Sequence, residues 1–138
     1  IIPYAGYCIV HDRLGAPDVD AARAAQPDAL LLVHPEPPEE VTRRADYVGS
    51  TLGIIEYARR SPHDKFIIGT EMGILHTLEK QNPGKRFFLL SPRLFCVNMK
   101  KTRIEDVRDA LRCEQYEIAL DEDVMDRARV SLERMLAI

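Results

Sequence analysis

Short apolar runs alternate along the chain with amphipathic stretches whose apolar positions recur every three or four residues. That alternation predicts βα units and a parallel sheet. The predicted strands cover residues 7–10, 29–33, 46–48, 66–69, 86–90 and 116–120. Most are short and apolar throughout, as strands covered by helices on both faces are; Ala29-Leu30-Leu31-Leu32-Val33 is the clearest. The predicted helices cover 17–25, 38–44, 51–60, 71–80, 103–112 and 123–136. Pro17-Asp18 and Pro38-Glu39-Glu40 are helix openings, with proline in the first turn and acidic groups at the positive end of the dipole. Thr102 with Glu105 three residues on predicts a capping box. Val124, Ala128, Leu132 and Leu136 line one face of the last helix. Pro27-Asp28, Ser61-Pro62-His63-Asp64 and Asn82-Pro83-Gly84-Lys85 are turns that precede strands. The expected fold is α/β, with short parallel sheets flanked by helices in three-layer, Rossmann-like units.

Composition narrows the class. Of 138 residues, 46% are apolar and 30% charged, a globular balance. The net charge of −3 has both signs interspersed. There is no basic stripe to neutralise phosphates, so nucleic acid is not an expected partner. No apolar run approaches the roughly 20 residues that span a bilayer, and no signal peptide is visible. Three widely spaced cysteines, Cys8, Cys96 and Cys113, make no disulfide framework. Reduced thiols and a cytoplasmic location are the expectation. The chain opens Ile1-Ile2-Pro3-Tyr4, without Met, almost directly on an apolar run, and is therefore expected to continue from sequence further upstream.

Parallel α/β folds bind ligands at the carboxyl ends of their strands, where loops feed helix N-termini. His11-Asp12-Arg13 follows the first predicted strand, His34-Pro35-Glu36 the second, Gly49-Ser50-Thr51 the third, Thr70-Glu71 the fourth and Ser91-Pro92 the fifth. Helix capping accounts for Thr70 and Glu71. It does not account for two histidines that each end an apolar run in the dipeptide Val-His. A lone histidine is more often structural, but two at equivalent strand ends point to chemistry. Glu36 sits in a loop stiffened by Pro35, Pro37 and Pro38, which suits a carboxylate held for acid–base work. Gly49 is expected to turn the backbone tightly, and Ser50 and Thr51 with the amides of a helix start suit a carboxylate or phosphate. His63 and His76 receive no role. Cys8 is expected inside a strand, Cys96 in a loop near Lys100 and Lys101 that would favour a thiolate, and Cys113 at a helix end as a structural residue. No local zinc motif of the C-x-x-C kind links the cysteines.

Read together, the segments resemble quinolinate synthase. They are Gly6-Tyr7-Cys8-Ile9-Val10-His11, Val33-His34-Pro35-Glu36, Asp46-Tyr47-Val48-Gly49-Ser50-Thr51 with Gly53-Ile54, Phe66-Ile67-Ile68-Gly69-Thr70-Glu71-Met72-Gly73-Ile74, Cys96-Val97-Asn98-Met99-Lys100-Lys101, and Arg127-Ala128-Arg129 with Leu132-Glu133-Arg134-Met135-Leu136. Six modest motifs in the right order, over essentially the whole chain, make a specific match.

The resemblance implies an enzyme of de novo NAD synthesis that condenses iminoaspartate (iminosuccinate) with dihydroxyacetone phosphate to quinolinate. It implies a partner, L-aspartate oxidase or aspartate dehydrogenase, that supplies the imine. It also implies three similar domains in pseudo-threefold arrangement around a [4Fe–4S] cluster, each giving one cysteine. Residues 1–12 would then end a preceding domain, 13–100 would form a complete small α/β domain, and 101–138 would be a βα segment packing back on the others. By the same resemblance Cys8 and Cys96 are cluster ligands. His34, Pro35 and Glu36 bind the imine and supply a histidine and an acid–base carboxylate. Ser50 and Thr51 hold a substrate anion, and His11 faces the cluster. The sequence departs from the family's pattern at Pro37, Leu52 and Val97, where cysteine, serine and proline respectively are usual. It also lacks the N-terminal half, with its cysteine and its substrate-binding tyrosine and serine, so the isolated chain is expected to be inactive. The alternative is a non-enzymatic α/β module that binds a small anion at Gly49-Ser50-Thr51.

Overall fold

Runs of Leu, Ile, Val and Phe avoid water on either face, and those of the two central strands are buried on both faces here, while the edge run Phe87-Phe88-Leu89 is partly buried. In the computed structural model, which describes residues 5–137, β1 (Leu30–Val33), β2 (Tyr47–Val48), β3 (Lys65–Gly69) and β4 (Arg86–Leu89) form one sheet. Its strands are all parallel, in the order β2-β1-β3-β4. Side chains alternate across it. Leu31, Val33 and Ile67 share one buried cluster with Val19 and Val41, which belong to α1 (Ala16–Ala25) and α2 (Glu39–Thr42). Leu32, Phe66 and Ile68 share the opposite cluster with Ile54, Ala58, Ile74 and Leu78, from α3 (Thr51–Arg60) and α4 (Ile74–Gln81). The result is the expected three-layer α/β fold. The chain divides into two compact units, Ile1–Asn98 and Met99–Ile138, and this sheet lies in the first.

The strand order has a direct consequence. The chain leaves β1 toward β2 on one side, then returns past it to place β3 on the other. The connections after β1 and after β3 therefore diverge, and the carboxyl ends of these two strands form the switch point at which sheets of this kind bind ligands. Backbone bonds extend the ladder there: the His34 N–H donates to the Gly69 carbonyl at 3.2 Å and the Leu90 N–H to that of Ile68 at 2.9 Å.

Several expectations are corrected. Residues 7–10 form no strand. The Asp12 N–H closes a turn on the Cys8 carbonyl at 2.9 Å, Val10 is buried, and Tyr7 and Ile9 are exposed. The run meets a core but no sheet edge, so Cys8 lies at a turn. Residues 116–120 form no strand either: they are exposed, and Tyr116 has φ 65°, incompatible with extended pairing. The cap of α5 (Ile104–Arg112) sits one residue later than Thr102, with the Arg103 N–H donating to Asp106 at 2.8 Å. Helix α4 begins three residues after the expected Glu71, which closes a separate turn. Gly49 is needed for space and not for a left-handed turn. A Cβ there would lie 2.5 Å from the Tyr47 hydroxyl, and one on Gly53 would lie 2.7 Å from it; the positive-φ glycine is Gly84.

In the second unit, α5 and α6 (Glu122–Leu136) are the helices among the described residues. Asp121 caps α6, accepting from the N–H groups of Asp123 and Val124. Ile104, Val107 and Leu111 of α5 and Val124, Leu132 and Leu136 of α6 are exposed. No helix among the described residues is long and apolar enough to cross a membrane. Residues 1–4, part of the segment assigned to a preceding domain, lie outside the described residues.

Ile67 is fully buried in the middle of β3. Ile67→Ala is expected to lower the unfolding free energy by about 2–5 kcal/mol, read from denaturant melts; a loss below 1 kcal/mol would contradict its placement in the core.

Candidate active site

His11 comes to rest between the residues that follow β1 and β3. The turn after Cys8 carries its ring inward until it is almost completely buried. Its Nδ1 lies 2.7 Å from Oε2 of Glu36, in the loop after β1. Its Nε2 lies 3.0 Å from the hydroxyl of Thr70, the residue that follows β3. The ring stacks on His34 with centroids 4.8 Å apart and planes 5° from parallel. A neutral His11 that donates from Nδ1 to the carboxylate accepts the Thr70 hydroxyl at Nε2, so both nitrogens are satisfied.

His34 is half-buried at the end of β1. Its Nδ1 faces the Glu36 amide N–H and Oε2, each at 3.4 Å. Burial holds its pKa below the ordinary histidine value, and the adjacent His11 adds to this while the Glu36 carboxylate opposes it. Pro35 and Glu36 are exposed, whereas Pro37 is buried and anchors the loop. Three groups with acid–base capacity thus share one edge, graded from the buried His11 to the open Glu36.

Ser50 caps α3, its hydroxyl accepting the Gly53 N–H at 3.1 Å. Thr51 is exposed in the first turn. Because Val33 pairs in register with Val48, the Gly49-Ser50-Thr51 turn lies at the same sheet edge as His34. Cys8 and Cys96 are free, half-buried thiols that pack against the same hydrophobic cluster. Cys8, His11 and Glu36 bring ligand atoms within 4.8 Å of one another; Cys96 is not in that group. Lys100 and Lys101 belong to the second unit. Cavities of about 490 and 390 Å³ are lined by other residues, Tyr47, Tyr57 and His63 among them for the larger. None of the candidate residues lines either. Cys113 is exposed in the second unit.

Two residues do more than the capping that local spacing suggests. Thr70 is buried and orients His11. Glu71 accepts the Gly73 N–H at 2.7 Å, which is a local cap, but its other oxygen accepts the Cys96 N–H at 3.3 Å. The Met72 N–H also donates to the Leu94 carbonyl at 2.8 Å, so the loop after β3 clamps the loop that carries Cys96. The adjacency of β3 to β1 is what reveals Thr70, and its adjacency to β4 is what reveals Glu71.

Thr70→Val keeps the shape but leaves a buried imidazole nitrogen without its partner. It is expected to cost about 1–3 kcal/mol and to alter the ¹⁵N signature of the His11 ring, with Thr70→Ser restoring both; an unchanged ring spectrum in Thr70→Val would contradict the bond. His34 is expected to titrate by NMR below the ordinary value of about 6.5, and to rise toward it in His11→Asn. Because the folded state binds this proton less readily than the unfolded chain, His34's contribution to stability is complete above about pH 6.5 and is lost as pH falls below it. A titration midpoint above 6.5 would contradict the assignment.

Residues 1–137 match the family described as "NadA: Quinolinate synthetase A protein". The quinolinate synthase of Alkaliphilus metalliredigens is 53% identical over 138 residues, covering 100% of this chain and 46% of that protein. Those of Clostridium kluyveri and Methanoregula boonei are each 51% identical over 138 residues, with the same coverage of 100% and 46%. The chain thus spans about half the length of the curated relatives it matches. With that match running through every strand-end residue described above, the chain belongs to the quinolinate synthetase A protein family.

Proposed function

We propose that this chain is a portion of a quinolinate synthase, a cytoplasmic enzyme of NAD biosynthesis that condenses iminoaspartate with dihydroxyacetone phosphate. The observation that carries this reading is the part-buried hydrogen bond of 2.7 Å between His11 and Glu36 at the switch point of the sheet. An imidazole and a carboxylate so coupled can pass a proton between a buried and an open position, and dehydration with ring closure requires such transfers. Glu36, the exposed member, is the group that meets substrate; His11 relays the proton and Thr70 holds it. His34, kept neutral by burial, donates a hydrogen bond to a substrate oxygen or carboxylate. Pro35 fixes the loop, and Ser50 and Thr51 with the first amides of α3 bind a carboxylate or phosphate.

The donor chemistry fits a [4Fe–4S] cluster, since Cys8 and Cys96 are free, half-buried thiols that pack against one hydrophobic cluster. They would hold it together with a third cysteine from the upstream part of the enzyme. When bound, the cluster supplies an iron with an open position, a Lewis acid. In this reading, residues 1–12 end a preceding domain, 13–100 form one of three pseudo-threefold domains, and 101–138 are the C-terminal segment. The imine comes from L-aspartate oxidase or aspartate dehydrogenase, and the isolated chain is inactive.

The full-length protein, reconstituted anaerobically, is expected to be brown and to form quinolinate. Cys8→Ala and Cys96→Ala should abolish the visible absorbance, Cys113→Ala should keep it, and Glu36→Gln should lower kcat about 10²–10⁴-fold. A colourless protein would sink the reading. So would a chelator without effect on anion affinity at Gly49-Ser50-Thr51, which would favour a simple binding module.

A further inference from the structure

We propose that Cys8, His11 and Glu36 form a site for a single zinc-type divalent cation, filled when the protein carries no iron–sulfur cluster. The proposal rests on the geometry of this triad and not on the enzymatic reading above; only its consequence for cluster loading depends on that reading. Cys8 and His11 are three residues apart on a tight turn closed by the Asp12 N–H, and their ligand atoms lie within 4.8 Å of each other. Glu36 reaches the same point from the loop after β1, and the three ligand atoms lie within 4.8 Å of one another. A four-coordinate zinc with bonds of about 2.0–2.3 Å holds its ligands roughly 3.5 Å apart. His11 Nδ1 and Glu36 Oε2, 2.7 Å apart, have to open by about 1 Å to admit the ion, and Cys8 has to close by about as much. Both movements are open to them, because Cys8 is half-buried on a turn and Glu36 is exposed on a loop.

His11 is already built as a ligand. With Nδ1 on the ion, its Nε2–H donates to Thr70 Oγ1, the outer hydrogen bond that fixes a metal-bound imidazole. Thiolate, imidazole and carboxylate together select zinc or cobalt over magnesium or calcium, and three protein ligands leave a fourth position for water. On binding, the Cys8 thiol releases its proton to solvent. Cys8 cannot serve a mononuclear ion and a cluster together, so the ion blocks cluster assembly until it is removed.

Cobalt(II), added to the cluster-free full-length protein, reads the site directly. The expected result is one ion per chain with the visible bands of tetrahedral cobalt and a thiolate-to-cobalt charge-transfer band, all displaced by zinc. Cys8→Ser should remove the charge-transfer band. Glu36→Gln, which leaves the packing intact, and His11→Asn should each weaken binding at least tenfold. Cys96→Ser should leave spectrum and affinity unchanged, and zinc-loaded protein should take up less than a tenth of the iron of the metal-free form. Binding that ignores Glu36→Gln and His11→Asn, or that disappears in Cys96→Ser, would overturn the proposal and assign the ion to the thiols alone. Failure of iron–sulfur reconstitution leaves the cobalt experiment unaffected, so the two ideas fail separately.

Discussion

A buried imidazole must have both ring nitrogens satisfied, and His11 meets that requirement by bonding across the sheet's switch point to Glu36 on one side and Thr70 on the other. Those two partners follow adjacent parallel strands, β1 and β3, so the register of Leu30 against Phe66 sets their spacing. The hydrophobic clusters on the two faces of the sheet fix that register. A shift by one residue would turn Leu32 and Ile68 to the wrong face and move Glu36 and Thr70 apart. The position of a proton-carrying group is in this sense a result of leucine and isoleucine packing.

Much of the architecture was legible in the amino-acid order. The apolar runs 29–33 and 66–69 could only be covered strands, and Val-His twice at strand ends marked the polar edge. The run 7–10 looked equally strand-like because periodicity records burial and not pairing: Val10 is buried in a turn as thoroughly as it would be in a sheet. The run 116–120 has the composition of a strand, but nothing among the described residues pairs with it. Thr70 and Glu71 sat where caps belong, and local spacing carries no information about which strand lies beside which. Their bonds to His11 and Cys96 become visible only once β3 stands between β1 and β4. Gly49 shows the same limit, since its reason is the phenol of Tyr47 pressed against the turn.

The site is graded in solvent access, and that grading divides its labour. His11 and Thr70 are buried and held, His34 is half-buried and discharged by its surroundings, and Glu36 stands open. A proton entering at the open carboxylate meets an imidazole that cannot rotate away. The thiols lie on the same hydrophobic cluster, with Cys96 tied through its amide to Glu71. In the function proposed above, that combination would let a metal activate an oxygen while an adjacent carboxylate moves the proton.

The central claim is that both thiols of the first unit and the His11–Glu36 pair serve one reaction centre. An anaerobic crystal structure of the full-length protein, with iron located by its anomalous scattering, tests it most directly. The account predicts iron within bonding distance of the sulfurs of both Cys8 and Cys96, beside the carboxyl ends of β1 and β3. Iron bound elsewhere, or the two sulfurs turned to separate surfaces, would contradict it.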